Sequence, residues 1–96
     1  MKIIYSPSAR RDLDKILDYY FDIGNRIKGK KIRAKLILTT ANLREYPRLG
    51  KKDAVFSIKY QQVCYFLVCD NHKIVYKIQE EESIYVLRFY DTRQNS

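Results

Sequence analysis

Ninety-six residues, 46% apolar and 31% charged with nine tyrosines, have room for one hydrophobic core and exclude both a second domain and a disordered chain. The formal net charge of +8 favours an anionic partner, such as nucleic acid, an acidic protein or a membrane surface. It is unevenly placed: residues 1–52 carry 14 Lys/Arg against 5 Asp/Glu, and residues 53–96 carry 5 against 6.

The chain begins with a short β-prone run at residues 2–5, in which Ile3-Ile4-Tyr5 is too short for a signal peptide. Ser6-Pro7 follows as an N-cap and a first-turn proline. Ala9, Leu13, Ile16, Leu17 and Tyr20 then recur at helical spacing, so one face of a first helix turns inward. Arg11, Asp14, Lys15, Asp18 and Asp22 form its solvated face, and Gly24-Asn25 ends it. A second helix is predicted over residues 26–44, with an inner stripe of Ile32, Leu36, Thr40 and Leu43. Gly29 weakens its first turn and delays its start; Pro47 stops it. So short a connection makes the two helices an antiparallel hairpin.

Residues 47–53 read as a charged loop, after which the pattern turns to β. Residues 55–60 are expected as a strand or an extended approach to one. Residues 63–69 are apolar on both faces, as a central strand would be, and far too short to span a membrane. Asp70-Asn71-His72 makes a turn, with Asn71 suited to the left-handed conformation and His72 expected in solvent. Residues 73–79 and 84–90 are the next strands, joined by a turn at Glu80-Glu81-Glu82-Ser83. Tyr76 and Tyr85 are expected as packing residues. Arg88 shares strand parity with Ile84, Val86 and Tyr90, and either lines the open sheet face or caps the sheet edge by pairing with an acid.

The order β-α-α-β-β-β describes a single α+β domain over residues 1–96. Its helical hairpin packs on one face of a small, mainly antiparallel sheet and leaves the other face partly open. Cys64 and Cys69 lie five apart on one strand, so they point to opposite faces and do not bridge each other; free thiols suit a reducing cytosol. With His72 as the one histidine, no metal-ligand set is expected, and neither is a cofactor.

Two regions invite function. Between Arg26 and Lys52 stand ten basic residues and one acid, Glu45. Of these, Arg26, Lys28, Lys30, Lys31, Arg33, Lys35 and Arg48 are candidates for contact with phosphates or with an acidic protein, which charge alone does not separate. The last strand then delivers Arg88, Tyr90 and Arg93 to the end of the sequence, where Arg93 either grips a partner or pairs with Asp91 or Glu80.

Several stretches, in this order, resemble the RelE/ParE superfamily of bacterial type II toxins. They are Ser6-Pro7-Ser8-Ala9 with Asp12-Leu13, the Tyr46-Pro47-Arg48-Leu49-Gly50 step, residues 71–78 (Asn-His-Lys-Ile-Val-Tyr-Lys-Ile), and the ending from Tyr85 to Asn95. The resemblance implies a toxin neutralised by a cognate antitoxin, with which it forms a hetero-oligomer. RelE-like members cut mRNA on the ribosome; ParE-like members act on DNA gyrase and are not nucleases. Arg93 falls on a functional arginine of RelE-like members. Where those members often carry a second arginine, before the Asn-His turn, this chain has Tyr65 and Phe66. Past Arg93 come Gln94, Asn95 and Ser96, with no late Tyr or His. Metal-free RNA cleavage needs groups to move protons and cations to stabilise charge, and only Arg93 and Tyr90 would be placed to serve. The expectation is therefore a cytoplasmic, ParE-like, non-nucleolytic toxin. A RelE-like mRNA interferase and a degenerate toxin that only binds its antitoxin are the alternatives.

Overall fold

Strand β1 (Lys2–Tyr5) turns directly into helix α1 (Pro7–Asp22) at Ser6. The Ser6 hydroxyl accepts the Ala9 N–H at 2.9 Å, and Pro7 occupies the first turn, where its missing N–H costs nothing. The structure, a computed structural model, describes residues 1–80 and 82–93. Ala9, Leu13 and Tyr20 are buried and Ile16 and Leu17 half-buried, as the stripe predicts. Helix α2 (Arg26–Ala41) tightens into a 3-10 turn at Asn42–Arg44, and Leu36, Thr40 and Leu43 are buried beneath it. It starts at Arg26 without delay. Gly29 is buried against α1, where a Cβ would stand 2.8 Å from the Tyr20 Cβ; the missing side chain lets the two helices approach.

Strand β2 (Lys51–Lys52), helix α3 (Ala54–Tyr60), β3 (Cys64–Cys69), β4 (His72–Gln79) and β5 (Ser83–Asp91) follow. Among the described residues the sheet order is β1-β5-β4-β3-β2, parallel only between β1 and β5. The α+β class and the mainly antiparallel sheet hold. The helical hairpin covers one face, closing a core of Ala9, Leu13, Leu36, Leu43, Ile74 and Tyr76, with Ile84, Val86 and Phe89 from β5. Cys69 belongs to this core and Cys64 to a smaller cluster on the opposite face; both are free and buried.

Four further local expectations are overturned in this half of the chain. Residues 55–60 are helix rather than strand: Asp53 accepts the Phe56 N–H at 2.9 Å, and Gln61 closes the C-terminus in the left-handed region at φ 54°. Local capping outweighs β-prone side chains here. Phe56 packs on Cys64, Val75 and Leu87, so α3 covers part of the second face and leaves the rest open. The charged loop contains β2, which adds a short strand beside Tyr65 and Phe66. In the β3–β4 turn the left-handed residue is Asp70, at φ 54°. Finally, Tyr76 opposes Val86 while Val75 opposes Arg88, so Leu87 is an extra residue in β5. This bulge breaks the parity between Arg88 and Ile84 or Val86, because one inserted residue flips all that follow. The expected 80–83 turn includes Glu81, which lies outside the described residues.

Tyr76 is fully buried, as expected. Its hydroxyl donates to the Pro47 carbonyl at 2.9 Å and accepts the Gly50 N–H at 3.0 Å. A Cβ on Gly50 would stand 2.7 Å from that hydroxyl and from the Phe66 carbonyl, so the 46–50 step is moulded onto the sheet.

Candidate functional site

β1 ends at Tyr5, but β5 continues to Asp91, leaving one edge of β5 without a strand partner. Side chains at the start of α1 take over. The Ser6 N–H donates to the Val86 carbonyl at 2.9 Å and the Ser6 hydroxyl to the Leu87 carbonyl at 2.8 Å. Asp12, buried at 8% exposure, then accepts the Phe89 N–H at 2.9 Å. The same carboxylate receives Arg88 as a fork, Nε at 2.7 Å and Nη2 at 3.0 Å. A sheet edge is thus closed by a helix side chain, and Arg88 caps that edge through an acid, one of the two roles its position allows. The hydrogen bond to Asp12 raises the Arg88 pKa further.

Between α1 and the end of β5 lies an open groove of about 740 Å³, walled by Ile16, Tyr19 and Tyr20 on one side and Arg88, Tyr90 and Arg93 on the other. An adjoining hollow of about 360 Å³, with Lys28, Ile32 and Asp70 on its wall, shares Tyr20, His72 and Arg93 with it. The tail is tied down by Thr92, whose N–H donates to the Asn71 carbonyl at 2.8 Å. Arg93 pairs with Asp91, Nη2 to Oδ2 at 3.1 Å, and its backbone N–H meets Oδ1 at 2.8 Å. Hydrogen bonds to Asp91 and then to the Tyr20 hydroxyl keep Arg93 charged. Burial pushes the Asp91 carboxyl up, but the side-chain and backbone hydrogen bonds from Arg93 outweigh it and hold the pKa below the usual range.

His72 corrects the expectation of a solvated residue. It is 5% exposed, and it opposes Asp91 across the strands. Burial lowers its pKa against the pull of Asp91, so it is neutral at neutral pH.

The sequence candidates therefore separate. Arg88, Tyr90 and Arg93 converge on the groove. Lys35 pairs with Asp70 at 2.9 Å, on the rim of the adjoining hollow. Lys30 and Lys31 stand exposed on α2. Arg33 lies elsewhere, near Tyr5, where its charge and that of Arg44 oppose the rise that burial imposes on the tyrosine pKa. Arg48 donates to the Tyr65 hydroxyl at 3.0 Å, beside β2. Asp12, Lys15, Tyr19 and Tyr20 were not singled out as site residues from sequence. For Asp12 a signal existed: it stands three residues after Ala9 and four before Ile16, so a carboxylate interrupts an inward stripe. Among the described residues no group of three His, Cys, Asp or Glu could hold a metal ion. The groove combines an apolar aromatic wall with two arginines fixed in place by carboxylates, which suits it to gripping a segment that is both apolar and anionic.

The family model described as "ParE toxin of type II toxin-antitoxin system, parDE" matches residues 3–96. Among solved structures, one titled "Chromosomal ParDE TA system from P. aeruginosa" aligns over 97% of both chains with a TM-score of 0.79 and 18% identity. That likeness is one of fold. No curated protein sequence matches the chain. No described helix is long and apolar enough to cross a membrane.

Proposed function

Because this chain belongs to the ParE family of type II toxin–antitoxin toxins, we propose that it arrests growth by acting on DNA gyrase without cutting nucleic acid, and that a cognate antitoxin neutralises it in a cytoplasmic hetero-oligomer. The observation that carries the non-nucleolytic reading is the state of the arginines. Arg88 is forked onto Asp12, Arg93 is held by Asp91, and the neighbouring His72 is buried and neutral. An RNA-cleaving site needs cations and proton-transfer groups directed at a phosphate, whereas these groups are directed at each other. The groove between α1 and β5 is the contact we assign to the antitoxin or the target.

Expression from a tight promoter, with and without the product of the adjacent gene, tests the reading. Growth arrest relieved by the neighbour is expected, with loss of gyrase-dependent supercoiling and intact mRNA. Codon-position mRNA cuts with unchanged plasmid topology would replace it with the mRNA interferase. Unimpaired growth would leave a degenerate toxin that only binds its antitoxin.

A further inference from the structure

Helix α2 is apolar on two sides, and the fold uses one of them. Leu36 and Thr40 turn inward and are buried, and Gly29 meets α1. On the outer side Ile27, Ala34 and Leu38 follow one another at spacings of seven and four, which sets them in one line along about three turns, roughly 16 Å. All three are exposed, Ile27 and Leu38 each at 69%. Lys30 stands on one flank of this line and Lys31 on the other, both exposed and in no ion pair among the described residues. Lys35, beyond Lys31, is paired with Asp70. In all, α2 carries six cations and no acid. At its N-terminal end the line reaches the hairpin tip, where every residue from Phe21 to Lys28 is exposed. Phe21 and Ile23 add apolar surface there, and Asp22 is the one acid. Ile27, Lys30, Lys31, Ala34 and Leu38 line neither the α1–β5 groove nor the hollow beside it.

Apolar side chains set in a line rather than scattered singly mark a contact surface. Its charge and shape narrow what the contact is. A second copy would set six cations against six across the line. The side of a helix and the tip of a hairpin are convex, so a folded partner would need a groove to receive them, while a fluid headgroup layer closes around them. An interfacial helix has this arrangement: an apolar line sunk among headgroups, flanked by lysines whose stems lie on the apolar layer and whose ammonium groups reach lipid phosphates. From these observations we infer that the outer side of α2 lies flat on an anionic lipid surface, with Ile27 and Leu38 entering the headgroup layer and Lys30 and Lys31 meeting phosphates. The contact is peripheral, since no described helix is long and apolar enough to cross a membrane. It uses no residue of the groove assigned to the antitoxin or the target, and its test does not depend on toxicity.

Co-sedimentation of the full chain with phosphatidylcholine vesicles holding about 30% phosphatidylglycerol provides that test. The expected partition constant at about 50 mM salt is about 10⁴ M⁻¹, similar to that of a single acyl chain, falling at about 500 mM salt, with little binding to phosphatidylcholine alone. Each lysine at an anionic surface contributes about fivefold, so Lys30→Ala with Lys31→Ala should weaken binding about twenty-five-fold. Ile27→Ser and Leu38→Ser should each weaken it about tenfold, with the circular dichroism spectrum unchanged because both side chains are exposed. The chain has no tryptophan, so Leu38→Trp supplies a single reporter whose emission should shift to the blue on the vesicles. Val68→Trp, on the sheet face turned away from the hairpin, should not shift. Four results would overturn the assignment. One is no pelleting with the anionic vesicles at low salt. A second is serine variants that bind as well as wild type, the mark of a basic protein adhering by charge alone. A third is no Leu38→Trp shift, or an equal one for Val68→Trp. The fourth is a Leu38→Trp shift produced as fully by polyglutamate, which would reassign this side of α2 to an acidic protein.

Discussion

Asp12→Ala removes the carboxylate that closes the β5 edge, and its cost follows from what it leaves behind. The Phe89 N–H, buried at the edge, loses its acceptor, which costs about 1 kcal/mol. The Arg88 guanidinium loses both of its bonds to Asp12. Breaking a fully buried pair costs about 3–5 kcal/mol, but the Arg88 side chain is 36% exposed and water screens it, so about 1–2 kcal/mol is the fitting share. The sum is about 2–3 kcal/mol, which for a domain of this size lowers Tm by roughly 10–20 °C. Asp12→Asn keeps an acceptor for Phe89 and should recover about 1 kcal/mol of that loss. Urea denaturation of wild type, both variants, Arg88→Ala and the double variant measures these quantities. The double variant should be less destabilised than the sum of its parts, because each single change strands the other partner. Asp12→Ala within about 0.5 kcal/mol of wild type, or strict additivity with Arg88→Ala, would refute this account of the edge.

Other outcomes follow from the same structure. His72 has a pKa below its ordinary 6.5, so as pH falls through 6.5 the unfolded chain takes up a proton before the folded one; stability should drop below that pH, and His72→Gln should flatten the dependence seen in urea midpoints. Gly29→Ala should lower stability by about 1–2 kcal/mol, because a clash with the Tyr20 Cβ, which cannot swing aside, exceeds the ~1 kcal/mol gain in helix propensity; a higher Tm in thermal melts would contradict the close helix approach. Arg93→Ala should reduce toxicity in a growth assay while the thermal melt shifts little, since the Arg93 side chain is 55% exposed and water screens its pairing with Asp91; undiminished toxicity at equal expression would remove it from the site.

Two kinds of information separate in this chain. Periodicity and caps were legible without coordinates: the inward stripes of the helices, the Ser6-Pro7 start, the antiparallel meander of residues 64–91 and the opposed cysteines all follow from the geometry of local repeats. The order of residues along the last strand likewise pointed to Arg88, Tyr90 and Arg93 as a group. What side-chain preference misjudged was α3, where adjacent caps outweigh a β-prone run, and each place where a distant residue decides. Asp53 and Gln61 turned a β-prone run into α3 by satisfying its ends. The Leu87 bulge inverted the parity of the last strand, and His72 moved from a turn into the interior because the β5 tail lies across it. The basic residues between Arg26 and Lys52 looked like one surface in sequence, yet the fold distributes them among α2, the Tyr65 hydroxyl and the β2 edge. Sequence by itself determined which faces must be buried, since burial of apolar area depends only on spacing. Tertiary structure alone decided which charges meet: Asp12 and Arg88 are 76 residues apart, and only the docking of α1 along an unpaired strand edge brings them to 2.7 Å.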